Sequence, residues 1–103
     1  MAEKNYAGKI VEVTADGYLV NMSDWTLDMA KEMATEAGIE LTDQHIAVLN
    51  YLREKQEAGE TLTIRKVGKS GITDIKGLYQ LFPGGPLKIS SRLAGIPKPT
   101  SCV

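Results

Sequence analysis

The sequence has 103 residues, of which 43% are apolar, with 12 basic and 13 acidic side chains and a single cysteine. This length suits one compact domain. No run of about 18 apolar residues is present, so no membrane-spanning helix is expected, and the first residues lack the apolar core of a signal peptide. One cysteine cannot form an internal disulfide, and these features together predict a cytoplasmic protein.

The charge is distributed unevenly along the chain. Residues 1–60 carry five basic and twelve acidic side chains, a net charge of −7, whereas residues 61–103 carry seven and one, a net charge of +6. A positive surface of this kind fits an anionic ligand, a nucleic acid or an acidic protein. The alternative is that the two parts attract each other within the fold, and charge alone does not decide between these interpretations.

The first two predicted elements are a hairpin and a helix. Residues 9–20 contain two β-prone runs around an Asp-Gly pair at 16–17, which tolerates the positive φ angles of a tight turn. Residues 21–38 predict a helix that begins at a Ser23 or Asp24 cap. Its apolar side chains recur at a spacing of four, which favours core packing over an exposed methionine surface: Trp25, Met29, Met33 and Ala37.

The longest predicted helix covers residues 41–59, with Thr42 as its cap. The only histidine, His45, falls in its first turn, where a structural or solvated role is the usual one. One histidine and one cysteine do not supply the ligands of a usual zinc site, so we expect no metal and no cofactor. The face of this helix that is predicted to pack contains Ile46, Leu49, Leu52 and Arg53.

Residues 61–83 predict two short helices around a turn at Gly71, with Thr73 as the cap of the second. The pattern resembles a helix-turn-helix and is rich in basic side chains, which keeps open a nucleic-acid-binding regulator. Few polar side chains remain in the second helix to read bases. The basic residues that we expect to contact an anionic partner are Arg65, Lys69, Arg92 and Lys98.

The last part of the sequence predicts a short helix over residues 86–93, which Gly95 ends. Two prolines then favour an extended, polyproline-like conformation. We therefore predict one domain at residues 1–96 and a mobile arm at residues 97–103.

The single thiol, Cys102, lies on this arm. From position alone, an inert surface thiol is the more frequent outcome. The two prolines lower the entropy lost when such an arm enters a pocket, so the arm can present the thiol to another protein. A thiolate there can accept the outer sulfur of a persulfide and deliver it onward, by the sulfur-on-sulfur attack that thiol–disulfide exchange also uses.

Several segments closely resemble one known family. LYQLFPGGP (78–86) and LAGIPKPTSCV (93–103) match its C-terminal pattern, and four shorter segments keep its usual order: GYL (17–19), DW (24–25), LTDQH (41–45) and YLRE (51–54). They resemble the DsrC/TusE family of small cytoplasmic sulfur-transfer proteins, one branch of which is also called the gamma subunit of dissimilatory sulfite reductase. The resemblance covers nearly the whole chain.

The resemblance implies an α+β fold that is mainly helical, with a small N-terminal antiparallel sheet, the helix-turn-helix-like segment and a mobile C-terminal arm. It also implies that Cys102 accepts sulfur as a persulfide, and that the protein is a carrier in a sulfur relay rather than a stand-alone enzyme. The partners it implies are sulfur-donor and sulfur-acceptor proteins, with no membrane.

One departure separates this sequence from part of the family. The branch that serves dissimilatory sulfite reductase usually has a second cysteine eleven positions before the last one, where this sequence has Ser91. Serine cannot form the internal disulfide of that branch. The resemblance is therefore to the one-cysteine, TusE-like branch, which relays sulfur toward thiolation of transfer RNA, while a partner or gamma subunit of dissimilatory sulfite reductase remains the alternative.

Overall fold

The computed structural model describes residues 2–60 and 62–97. Within these residues the fold is α+β and mainly helical, as expected, with a small antiparallel sheet at the N-terminal end. The elements in chain order are strands β1 (Ala2–Tyr6) and β2 (Lys9–Val13), a 3₁₀ turn (Met22–Asp24), and helices α1 (Leu27–Glu36), α2 (Asp43–Glu57), α3 (Ile64–Gly68), α4 (Ile75–Leu81) and α5 (Pro86–Leu93).

The hairpin is only partly where it was predicted, since β2 lies in the first predicted run but pairs with β1 and not with the second run. Strands β1 and β2 pair with Ala2 opposite Val13, through a turn at Ala7 and Gly8 with φ angles of 54° and 81°. Among the described residues, the predicted Asp-Gly turn closes only an isolated bridge between Val13 and Leu19. Four of the five β1 residues are exposed, so β1 lacks the apolar alternation that marks a half-buried strand.

Two predicted helix caps are wrong by one to three residues. Thr26, and not Ser23 or Asp24, caps α1, because the residues before it form the separate 3₁₀ turn. Asp74, and not Thr73, caps α4, and its carboxylate accepts a backbone N–H of the first turn at 2.7 Å. In both segments several capping residues lie close together, and the local pattern does not identify which one has the extended backbone of a cap.

The other helix boundaries agree with the sequence pattern. Thr42 caps α2, and α5 has the predicted bounds. Gly38 and Gly95 follow α1 and α5 with φ angles of 74° and 69°, the left-handed conformation that ends many helices. The predicted domain boundary after Ile96 stays a prediction.

His45 has a structural role in the described fold. Its Nδ1 accepts the Thr42 N–H at 3.2 Å, and its Nε2 lies 2.8 Å from the Leu81 carbonyl oxygen. Since an N–H only donates and a carbonyl only accepts, these two contacts give Nδ1 the acceptor role and Nε2 the donor role. The ring also meets Phe82 edge-on, at 5.1 Å between centroids. His45 thereby joins the start of α2 to the end of α4.

Helix α5 contacts α1, α2 and α4, while the hairpin packs on α1. The predicted packing of Met29 and Met33 is confirmed, since both are buried. No helix among the described residues is long and apolar enough to cross a membrane. The largest buried side chains include Phe82, Leu19, Met29, Met33, Leu49, Leu52, Leu93 and Ile96.

Candidate functional site at the end of helix α5

The predicted sulfur acceptor, Cys102, lies outside the described residues, and so does Lys98. The structure does describe the segment that leads to them. Ile96 is fully buried, and its N–H donates to the Ser91 carbonyl oxygen at 3.2 Å. Pro97, the next residue, is exposed. The last two described residues are therefore a buried anchor at Ile96 and an exposed proline at Pro97.

Two side chains from other elements bind the carbonyl groups at the end of α5. The Trp25 Nε1–H donates to the Leu93 carbonyl oxygen at 2.8 Å. The Arg53 Nη1–H donates to the Ala94 carbonyl oxygen at 2.9 Å, and its Nη2–H donates to the Met22 carbonyl oxygen at 3.1 Å. The last carbonyls of a helix have no partner within the helix, so these bonds satisfy them directly.

We call Trp25 and Arg53 the α5 clamp. The guanidinium lies over the indole ring, with 4.4 Å from Cζ to the ring centroid, a favourable cation–π arrangement. Burial lowers the pKa of Arg53, and the nearby Glu57 carboxylate acts in the opposite direction. An arginine stays protonated at neutral pH even so, and a positive charge at the C-terminal end of a helix is favourable.

Gly95 completes the contact with the clamp. A Cβ atom at this position would lie 2.4 Å from Trp25 Cδ1, and the φ angle of 69° is in the left-handed region. Both facts require glycine, since any side chain would meet the indole and strain the backbone. The sequence predicted Gly95 as a helix stop, but the contact with Trp25 was not predicted.

Ser91, the residue that was expected to replace a second cysteine, is fully buried in α5. Its Oγ has no hydrogen-bond partner among the described residues. The adjacent Ser90 is also buried, but its Oγ donates to the carbonyl oxygens of Pro86 and Leu87 at 2.5 and 3.2 Å. The Ser91 hydroxyl is therefore an unpartnered polar group in the helix that carries the tail.

The predicted basic residues lie on two helices. Arg65 and Lys69 are exposed in α3 and at its C-cap, one turn apart. Arg92 is on α5, where it lines a shallow hollow with Asp16 and Tyr18. The structure thus gives a pair of neighbouring charges on α3 and a separate charge at the side of α5.

The ion pairs give little support to the interpretation that the acidic and basic parts of the chain attract each other within the fold. Among the described residues, one ion pair joins the two parts, between Lys66 Nζ and Glu60 Oε1 at 3.2 Å. Arg65, Lys69 and Arg92 form no ion pair with another described residue. Arg65 and Lys69 are also exposed, so these two side chains face solvent, whereas Arg92 is half-buried.

Helix α4 does not bury its whole predicted apolar face. Leu78 and Phe82 are buried, but Ile75 and Tyr79 are 41% and 47% exposed. Lys76 is exposed on the same helix. This helix presents apolar surface beside positive charge, which suits a protein partner better than base readout, where hydrogen-bonding side chains are needed. Among the described residues there is no group of three or more His, Cys, Asp or Glu that could hold a metal ion.

The hairpin, the helical array and the position of the last helix define a DsrC-type fold, because solved structures share them. The structure of Allochromatium vinosum DsrC is 37% identical and covers 98% of this chain and 97% of its own, with a TM-score of 0.83. The oxidized gamma subunit of dissimilatory sulfite reductase from Archaeoglobus fulgidus is 32% identical over 99% of this chain and 100% of its own, with a TM-score of 0.82.

Sequence comparison gives the same answer at the level of the family. The family described as DsrC like protein matches residues 5–103. Sulfurtransferase TusE from Yersinia pseudotuberculosis is 37% identical over 95% of this chain and 98% of its own. The gamma subunit of dissimilatory-type sulfite reductase from Nitratidesulfovibrio vulgaris is 34% identical over the full length of both chains. The chain belongs to the DsrC-like family.

Proposed function

We propose that this protein is a cytoplasmic sulfur carrier that accepts sulfur as a persulfide on Cys102 and passes it to a partner in a sulfur relay. The observation that carries the proposal is the family match, which runs through residue 103 and so includes the only thiol of the chain. Relatives named sulfurtransferase TusE support it further.

The chemistry is a transfer of one sulfur atom between thiols. The Cys102 thiolate attacks the outer sulfur of a donor persulfide, R–S–SH. A new S–S bond forms on Cys102 while the donor S–S bond breaks, and the donor leaves as the thiolate R–S⁻. The proton of the outer sulfur travels with it, so the product is Cys102–S–SH. No external oxidant or reductant is required, and the same step in reverse delivers the sulfur to an acceptor.

Ser91 supports one destination for the sulfur over the other. With serine at that position, no internal disulfide with Cys102 is available to release sulfur. We therefore favour a TusE-like relay toward thiolation of transfer RNA, with a dissimilatory sulfite reductase as the alternative partner. The exposed Arg65 and Lys69 support donor or acceptor proteins with an acidic docking surface.

The test compares loading by a protein donor with loading by a small molecule. A cysteine desulfurase with cysteine and its relay protein serves as the first donor, and inorganic polysulfide as the second. Intact mass should show one added sulfur atom in both cases, and none after Cys102→Ser.

The matched control moves the thiol by one residue, in the double variant Cys102→Ser/Ser101→Cys. A carrier that partners recognise should load from polysulfide at the same rate in both forms, but should load from the protein donor much faster with the thiol at position 102. Equal rates from the protein donor would show that the thiol is reactive without being specifically presented, and would contradict the proposal.

A further inference from the structure

The exposed apolar side chains are concentrated on two parts of the surface. Among the described residues, five large apolar side chains are exposed. Ile10 and Val20, which are 64% and 44% exposed, belong to the hairpin and to the segment bonded beside it. Ile75 and Tyr79, at 41% and 47%, belong to α4, and Leu27 lies apart from both pairs. The two pairs therefore account for most of the large apolar side chains that face solvent.

The first pair lies among acidic side chains. Glu3 and Glu12 are exposed and directly opposite each other in the hairpin, and they line one shallow hollow together with both apolar side chains. A third carboxylate at this hollow, that of Asp24, is paired with Lys9 at 3.5 Å. Like charges directly opposite in a strand pair are destabilising, so stability of the hairpin does not explain the two glutamates. We call the following residues the acidic face: Ile10, Val20, Glu3 and Glu12.

The second pair lies among basic side chains. Ile75 packs on Gly68 of α3, where a Cβ atom would lie 2.7 Å from the isoleucine Cγ1. Arg65 and Lys69 are exposed and lie within one turn of Gly68. Tyr79 follows Ile75 by one turn, which places both side chains on one side of α4. We call the following residues, all of them exposed, the basic face: Ile75, Tyr79, Arg65, Lys69 and Lys76.

The two faces are complementary in charge and similar in their apolar content. They belong to parts of the chain with net charges of −7 and +6. None of their charged side chains forms an ion pair within the part of the chain that the structure describes. Because both faces are exposed, neither covers the other within one molecule. A second molecule can bring them together.

We propose that the acidic face of one molecule binds the basic face of a second copy, so that the protein associates head to tail. Apolar side chains at the centre with charges around them are the usual arrangement of a specific interface. Since the two faces differ, the contact is heterologous, and it continues into open chains or closes into a ring. Two apolar side chains on each side form a small interface, of the weak and reversible kind.

The chain itself supplies the partner surface, which favours a second copy over an unrelated protein. The contact involves no thiol, so it does not rest on the proposed sulfur chemistry. It does use Arg65 and Lys69, so a sulfur-relay partner that docks on the basic face would compete with the second copy.

The test reverses the charge of each face separately. Glu3→Lys/Glu12→Lys makes both faces positive, and Arg65→Glu/Lys69→Glu makes both negative. Each variant alone should be monomeric, since its faces repel each other. An equal mixture should regain association, because each variant keeps the face that the other needs. Sedimentation velocity under a reducing agent, up to about 1 mM protein, extends to dissociation constants in the millimolar range. Wild-type association should weaken at high salt.

Matched controls reverse two exposed charges outside both faces and so change the net charge equally. They should associate like the wild type: Glu40→Lys/Glu54→Lys and Lys31→Glu/Lys88→Glu. Ile10→Ser and Tyr79→Ser leave the net charge unchanged and should each lower the association constant about tenfold. Added together to both charge variants, they should also weaken the mixture, which separates a specific contact from general attraction between oppositely charged molecules.

Three outcomes would overturn the proposal. Wild-type protein that stays monomeric at low salt up to about 1 mM would assign the two faces to other proteins. Charge variants that associate like the wild type would place the contact elsewhere on the surface. A mixture that stays monomeric would exclude a head-to-tail contact. Circular dichroism checks that each variant folds, and if Glu3→Lys/Glu12→Lys does not fold, Glu12→Lys alone takes its place.

Discussion

Replacing Ser91 with alanine is expected to stabilise the fold, although the residue is fully buried in α5. Its Oγ has no partner among the described residues, and a buried hydroxyl without a partner costs about 1–3 kcal/mol. The neighbouring Ser90 is the matched control, since its Oγ donates to two carbonyls of the same helix. Ser90→Ala should lose about 0.5–1.5 kcal/mol for those bonds.

Both substitutions gain the same helix propensity, which cancels when they are compared with each other. The two variants should therefore differ by about 3 kcal/mol in the free energy of unfolding, with Ser91→Ala the more stable. For a domain of this size the gap corresponds to roughly 12–24 °C in melting temperature. Thermal unfolding followed by circular dichroism, with urea titrations for the free energies, measures it. Equal shifts, or a Ser91→Ala variant less stable than Ser90→Ala, would refute the reasoning.

Two further predictions concern charge and oxidation. Charge reversal at Arg65 and Lys69 should weaken binding to the protein sulfur donor and flatten the salt dependence of that binding. Charge reversal at Arg92, on the other helix, should make a separate contribution. Titrations at several salt concentrations measure the affinity, and an unchanged affinity would assign these charges to the fold instead. Ser91→Cys should lose both free thiols as a monomer under mild oxidation, provided that Cys102 brings its Cα within about 4.4–6.8 Å of position 91. Intermolecular dimers alone, at low protein concentration, would show that the tail does not return to α5 in this protein.

Local signals in the sequence predicted the helices well. The Gly38 and Gly95 stops and the Thr42 cap each have one clear candidate residue, so capping preferences located them. Where two or three candidates are adjacent, as at Ser23, Asp24 and Thr26, the choice depends on the path of the backbone, which the pattern does not contain. Strand β1 was missed for a related reason, since its exposure removes the apolar alternation.

The hydrogen bonds of the α5 clamp could not be predicted from the sequence. The pattern placed Arg53 on the apolar face of α2. An arginine on such a face indicates that hydrogen-bond acceptors lie close to it in the fold. Its partner, the Ala94 carbonyl oxygen, lies 41 positions further along the chain. Every residue has a backbone carbonyl group, so the sequence does not indicate which one accepts this hydrogen bond. The folded arrangement of α2, α5 and the 3₁₀ turn identifies it.

The bonds of His45 have a consequence for how the carrier handles protons. Both ring nitrogens of the chain's single histidine are engaged, one with the start of α2 and the other with the Leu81 carbonyl oxygen. Imidazole is the side chain that most often takes up a proton near neutral pH, and here it is committed to structure. In the proposed sulfur transfer, His45 is therefore not a candidate for the base that deprotonates the Cys102 thiol.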